Sequence, residues 1–264
     1  MKASKGSAIV TGASSGIGAV YAERLAGRGH DLVLVARRRD RLESLAENLR
    51  TQYGCKAEVV SADLANEADL AKVGAIVENT ADLELIANCA GLGALGLVAK
   101  IDPATLDSMV KVNVLALTHL SVAAARRFAA AKHGTIINIG SIIALMPIPG
   151  AGGYSGSKAY VLNFTHSLQA ELADSNVMVQ VVLPGAVRSE FFGNKPAPFS
   201  DQLFMTPETL VDTALTALDQ GETVCFPTLH DTAAWQQFEG ACSGLAKAVT
   251  QSGLPAERYK HASA

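Results

Sequence analysis

Short β-branched runs alternate with longer amphipathic stretches along most of this chain, and that alternation constrains the fold more than any other feature. Ser7–Val10, Asp31–Ala36, Ala57–Ser61, Leu85–Asn88, Thr135–Gly140, Val177–Leu183 and Thr223–Phe226 read as strands. Between them, Gly16–Arg28, Arg38–Tyr53, Glu67–Asn79, Pro103–Ala131, Tyr154–Ala173 and Pro207–Asp219 read as helices. In the second helix Leu42, Leu45 and Leu49 recur at helical spacing, and Pro103 suits a first turn, where its missing N–H costs nothing. Strands apolar on both faces and separated by helices imply a parallel sheet covered on both sides. No linker, repeat or low-complexity run interrupts the 264 residues, so one domain, 1–264, is expected. Residues 186–206 are the one long irregular stretch, which predicts a functional loop. Residues from about 227 to 264 form a C-terminal extension.

Composition narrows the class. Hydrophobic residues make up 49% and charged residues 18%, which excludes intrinsic disorder. With 22 basic and 25 acidic residues the net charge is −3, so nothing favours nucleic acid. The four cysteines have no CxxC spacing; buried free thiols are expected, with no metal site. The apolar run near the N-terminus is too short for a signal core, and Thr135–Pro149 is cut by Asn138, Gly140, Pro147 and Pro149. A cytoplasmic protein without a membrane partner is the expectation.

After the first strand comes Thr11-Gly12-Ala13-Ser14-Ser15-Gly16-Ile17-Gly18, opening a helix. Glycines there allow a tight turn and close approach of a pyrophosphate to backbone N–H groups, and the helix N-terminus adds partial positive charge. The competing reading, a purely structural turn, is weakened by the position between first strand and first helix. Dinucleotide sites carry an acid about 20 residues on, at the end of the second strand, for the ribose 2′-hydroxyl. Here that place reads Ala36-Arg37-Arg38-Arg39. A carboxylate would repel a 2′-phosphate, whereas a guanidinium bonds to one, so NADP(H) is expected over NAD(H), at Arg37 and Arg38. Otherwise these arginines are a solvated helix start.

Tyr154 and Lys158 stand four apart at the start of a helix and share a face. Ser141 lies just past the fifth strand, at the sheet edge where α/β proteins bind ligands. Taken singly, Ser141 is a turn serine, Asn113 a polar helix residue and Tyr154 a packing side chain.

Together these residues resemble the short-chain dehydrogenase/reductase family over essentially the whole chain. The turn at 11–18 resembles its nucleotide motif. Asn88-Cys89-Ala90-Gly91 is similar to its NNAG motif, with Cys89 where a second asparagine is common. Asn113, Ser141, Tyr154 and Lys158 match its catalytic set, and Pro184-Gly185-Ala186-Val187-Arg188-Ser189 resembles the segment over the nicotinamide. The resemblance implies a Rossmann-type seven-stranded parallel sheet of order 3-2-1-4-5-6-7. It also implies cofactor contacts from Gly12, Ser14, Ser15, Gly16, Ile17, Gly18, Asp63, Leu64, Asn88, Ala90, Gly91, Tyr154, Lys158, Pro184, Gly185, Val187 and Ser189. Asp63 would take the adenine amine, or else cap the third helix.

The chemistry implied is hydride transfer between a carbonyl and an alcohol. A phenol of pKa about 10 is a poor acid or base at neutral pH; the Lys158 ammonium and an oxidised nicotinamide would lower it. Ser141 would hold the reacting oxygen, and Asn113 would position a water. Leu92, Ser141, Ile143, Met146, Phe191 and Phe192 predict an apolar substrate pocket. An apolar ketone, aldehyde or secondary alcohol fits that pocket better than a charged metabolite, and Arg188 is either a clamp or solvent-facing. The alternatives are a 3-oxoacyl-thioester reductase, a hydroxysteroid-type dehydrogenase and an NADP(H) sensor without turnover. A sugar-nucleotide epimerase would need a larger substrate domain. Helices 103–131 and 154–173 imply a homodimer or homotetramer by the same resemblance.

Overall fold

The computed structural model describes residues 4–192 and 200–259, with the Phe192 side chain outside the described set. Seven strands form one parallel sheet in the order β3-β2-β1-β4-β5-β6-β7. They are β1 (Ser7–Thr11), β2 (Asp31–Ala36), β3 (Ala57–Ser61), β4 (Leu83–Asn88), β5 (Gly134–Ile139), β6 (Val177–Val182) and β7 (Val224–Cys225). The helices are α1 (Gly16–Gly27), α2 (Arg39–Tyr53), α3 (Glu67–Asn79), α4 (Pro103–Val110), α5 (Leu117–Ala131), α6 (Gly152–Glu171), α7 (Pro207–Asp219) and α8 (Ala233–Val249).

Both faces of the sheet are dry because neighbouring residues of a strand point to opposite sides. Val10 joins a core with Leu34, Leu25, Leu42 and Leu210 under α1, α2 and α7. Its neighbour Ile9 joins the other, with Ile86, Val73, Leu120 and Phe128 under α3 and α5. Val10 pairs with Leu34 and Ile137 with Gln180, and the register shifts once, between Ser7 and Ala8 where β1 meets β4.

Three expectations need correction. Pro103–Ala131 is not one α-helix: a π-helical turn, Lys111–Ala116, separates α4 from α5. Apolar periodicity does not register one extra residue in a turn, so the sequence pattern passes over it. That stretch is apolar and long enough to cross a membrane by composition, yet more than half of its most apolar window is packed inside the fold. The last strand is only two residues long, half the expected Thr223–Phe226. Of the four thiols only Cys225 is fully buried; Cys55 and Cys89 are half-buried and Cys242 is exposed.

The chain resolves into two compact units, one ending at Pro227 and one beginning at Thr228. The first contains the whole sheet. The second contains α8, in which the Trp235 and Phe238 rings stack with centroids 5.3 Å apart.

Candidate active site

Parallel strands deliver their carboxyl ends to one edge, where open α/β sheets leave a crevice. Gly12 follows β1 there, Arg37 follows β2 and Asp63 β3, Asn88 ends β4, and Ser141 and Pro184 follow β5 and β6.

The β1–α1 turn is a backbone cradle. Gly12 has φ +68°, and a Cβ on it would stand 2.9 Å from Ala90 N and Cα. A Cβ on Gly18 would stand 2.4 Å from the Gly12 carbonyl oxygen. Neither position tolerates a side chain. Ser15, the N-cap residue of α1, makes no side-chain capping bond, and the first turn holds no acidic residue. Unsatisfied N–H groups and the helix dipole therefore face the crevice, an arrangement suited to a phosphate. Ile17 packs on the core beneath, and Ser189 lies 3.4 Å from the place of a Gly16 Cβ.

The two candidate arginines part company. Arg37 is exposed, and its carbonyl accepts the Ser61 hydroxyl at 3.2 Å. Arg38 turns onto the glycine-rich turn: Nη2 donates to Ser14 Oγ at 3.0 Å and to Ser15 Oγ at 2.7 Å. Its Nη1 donates to Glu190 at 2.6 Å, and Arg41 donates to the other oxygen of that carboxylate at 2.6 Å. These two guanidinium groups hold the Glu190 carboxyl down at about 2. Sequence reasoning passed over Arg41 and Glu190, because residues 149 positions apart carry no joint signal.

Asp63 does not cap α3. Asn66 does, accepting from Ala68 N and Asp69 N, while Asp63 Oδ1 accepts from Ala65 N at 3.0 Å. Asp63 sits three residues before the cap, so it closes the preceding turn instead. Leu64 is buried beside it.

Ser141, Tyr154 and Lys158 converge where β5 ends. Ser141 Oγ donates to the Pro184 carbonyl at 3.4 Å and accepts from Ile143 N at 3.3 Å, and its hydroxyl favours the ionised form of the Tyr154 phenol. The Lys158 ammonium is buried 5.9 Å from the Tyr154 ring centroid and donates to the Ile139 carbonyl at 2.7 Å. A Cβ on Gly91 would stand 3.8 Å from that ammonium. Burial dominates both ionisations: the Tyr154 phenol is pushed up to about 12 despite the opposing influence of the Ser141 hydroxyl, and Lys158 falls to about 8. The expected lowering of the tyrosine by Lys158 is thus not a property of the chain's own groups. Desolvation of the phenol is the largest cause, and only the Ser141 hydroxyl opposes it.

Asn113 occupies the π-helical turn and is wholly buried. Its Oδ1 accepts from Leu92 N at 2.8 Å, and its Nδ2 donates to Leu92 O at 2.9 Å and to Ser157 Oγ at 3.1 Å. The side chain thereby fixes the loop after β4. π-Turns recur at functional sites, and this one sets the spacing of Asn113. Ala90 N donates to Thr11 Oγ1 at 3.1 Å, tying that loop to β1.

Beneath the site lies a buried polar network that sequence reasoning missed. Asn88 Nδ2 donates to Asn138 Oδ1 at 2.9 Å and to Ser121 Oγ at 3.1 Å, and Asn138 Nδ2 donates to Thr165 Oγ1 at 3.1 Å. A polar residue inside the apolar run of β5 was the available signal, since buried amides need partners.

On the substrate side, Phe191 packs on Tyr154 with ring centroids 5.2 Å apart, and a Cβ on Gly93 would meet its ring at 2.6 Å. Leu92 and Ile143 are half-buried, and Met146 is 52% exposed. The Pro184 carbonyl accepts from Ile142 N at 3.0 Å, Gly185 has open space around it, and Val187 bridges to Met205. That bridge and the short 3₁₀ turns Glu190–Phe192 and Asp201–Leu203 give structure to a stretch expected to be irregular. The Phe192 side chain and residues 193–199 lie outside the described residues. Arg188 is engaged: it donates to the Asp201 carbonyl at 3.2 Å and lies over the Phe204 ring.

Comparison with known proteins agrees with this architecture. The family model for short chain dehydrogenases matches residues 7–198. A 7beta-hydroxysteroid dehydrogenase of Mediterraneibacter gnavus is 31% identical over 215 residues, covering 80% of this chain and 81% of that protein. A short-chain dehydrogenase of Sphingobium yanoikuyae, solved in complex with NADPH, superposes with a TM-score of 0.91. It is 41% identical, over 96% of this chain and 100% of the other. An alcohol dehydrogenase of Comamonas testosteroni, described as specific for bulky-bulky ketones, superposes at 0.88 with 38% identity, over 96% and 98%. The chain belongs to the short chain dehydrogenase family of oxidoreductases.

Proposed function

We propose that this protein is an NADP(H)-dependent oxidoreductase that interconverts an apolar ketone and its secondary alcohol, with Tyr154 as the acid/base. The observation that carries this reading is the convergence of Tyr154, Ser141 and Lys158 at the sheet edge that also bears the glycine cradle. The residues present fit a dinucleotide. The α1 N-terminus with Gly12, Gly16 and Gly18 would hold the pyrophosphate, Arg38 with Ser14 and Ser15 the 2′-phosphate, and Asp63 the adenine amine. Lys158, Asn88, Ala90, Gly91 and the 184–189 segment would hold the nicotinamide ribose and ring.

When bound, the nicotinamide supplies or accepts the hydride. The chain's own part is to move a proton and hold an oxygen. Tyr154, a neutral acid at physiological pH, gives its proton to the carbonyl oxygen as that oxygen gains charge. Ser141 donates a hydrogen bond to the same oxygen. Lys158, still largely protonated below about pH 8, stabilises the phenolate left behind. Asn113 holds the loop that bears Leu92 and so positions one wall of the pocket.

Leu92, Ile143, Met146 and Phe191 support an apolar substrate, as do the bulky-ketone and hydroxysteroid names of the two relatives. Exposed Val110, Leu115 and Tyr160 on the α4–α6 side support the expected homodimer or homotetramer. The test is a panel of ketones followed by loss of NADPH absorbance. Bulky apolar ketones should turn over faster than small charged oxoacids, and with NADPH faster than with NADH. Preference for charged oxoacids would overturn the substrate class.

A further inference from the structure

A carboxylate lies on Arg38, the guanidinium group that the proposed function assigns to the cofactor, and on its neighbour Arg41. Glu190 pairs with Arg38 and Arg41 at 2.6 Å each, through separate oxygens, and Arg38 simultaneously grips Ser14 and Ser15 of the cradle. No other acid is paired with Arg38 or Arg41 among the described residues. Arg41 borders a hollow lined also by Ser14, Ala19, Asp40, Ser44 and Asn48, and Arg38 Nε donates to the Ser14 Oγ of that lining at 3.2 Å. The residue after this glutamate is Phe191, whose ring lies on Tyr154 and over Gly93. Between them the chain makes a single 3₁₀ turn, Glu190–Phe192, pinned by Phe191 N donating to Ser189 Oγ at 3.3 Å. One short segment thus touches the cradle end of the site with one side chain and the reacting end with the next.

We propose that Glu190 is an internal stand-in for the 2′-phosphate of NADP(H), and that only a ligand carrying this phosphate displaces it and moves Phe191 off Tyr154. This rests on the reading of Arg38 as the 2′-phosphate group's partner. The chemistry favours the exchange: a phosphomonoester brings more charge and more acceptor oxygens than a carboxylate to the same two forks. A ligand with a free 2′-hydroxyl offers no such competitor and leaves both ion pairs intact. Glu190 is then a specificity-determining residue that acts by occupying the arginines, in place of the acid missing at the end of β2. The strong depression of its carboxyl pKa, caused by the two guanidinium groups, keeps the stand-in charged throughout the physiological range.

Adenosine 2′,5′-bisphosphate and adenosine 5′-monophosphate separate the parts of this idea, because they differ only in the 2′-phosphate and neither carries a nicotinamide. Calorimetric Kd values should show the bisphosphate binding the native protein more tightly. Glu190→Gln should tighten the bisphosphate further, by about fivefold for two exposed ion pairs no longer broken, and leave the monophosphate unchanged. With fluorophenylalanine placed at position 191, the ¹⁹F resonance should move on adding the bisphosphate and stay fixed with the monophosphate. If the native protein binds both ligands equally, the NADP(H) reading fails and this proposal with it. If the native protein prefers the bisphosphate but Glu190→Gln weakens it or leaves it unchanged, the stand-in role alone is overturned. A resonance that responds equally to both ligands overturns the link to Phe191.

Discussion

Tyr154 and Lys158 ionise against their chemical purpose when only the chain's own groups act on them. Burial raises the phenol to about 12 and lowers the ammonium to about 8. The sign matters for rate. Carbonyl reduction needs a protonated tyrosine, which holds across the accessible range, and a charged lysine, which does not. The kcat/KM for ketone reduction should therefore be level below about pH 8 and fall as a single proton leaves Lys158 above it. A pH profile whose alkaline limb begins at pH 10 or higher would show that Lys158 is not the titrating group. The identities of these residues were legible from spacing, but their environment was not, because desolvation depends on what closes over them. Arg38 makes the same point. The run Arg37–Arg39 announced a cation cluster, yet only the fold decides that Arg38 faces the turn while Arg37 faces solvent.

Elements α5, α6, β4 and β5 meet through the amides and hydroxyls of Asn88, Ser121, Asn138 and Thr165. Asn138 sits at the centre of this network and is wholly buried. Asn138→Leu should lower unfolding stability by about 1–3 kcal/mol, the cost of leaving buried partners unsatisfied, measured by urea denaturation. A change within about 0.5 kcal/mol would show that the network repacks or admits water. Strand and helix identities were readable at this scale: β2, β3, α3 and α7 begin and end where their apolar patterns do. The π-turn Lys111–Ala116 and the two-residue β7 were not, since periodicity reports which face is apolar and says little about hydrogen-bond register. Glu190 was hidden as well, because its partners Arg38, the N-cap residue of α2, and Arg41 within α2 stand 152 and 149 positions earlier.

At the scale of the whole molecule, the strand order brings every motif to one sheet edge, so widely spaced residues become one site. The sheet order followed from family resemblance, and strand–helix alternation had already required parallel strands. The contacts across the site, from Glu190 to Arg38 and from Phe191 to Tyr154, join positions that no local sequence pattern links. The central claim is that Tyr154 moves the proton while the rest of the edge binds and orients. Its most direct test compares the native protein with Tyr154→Phe, measuring NADPH affinity by calorimetry and single-turnover reduction of a bulky apolar ketone. The expected result is an unchanged Kd with the reduction rate lowered by about 10²–10⁴-fold; reduction retained at near the native rate would contradict the claim.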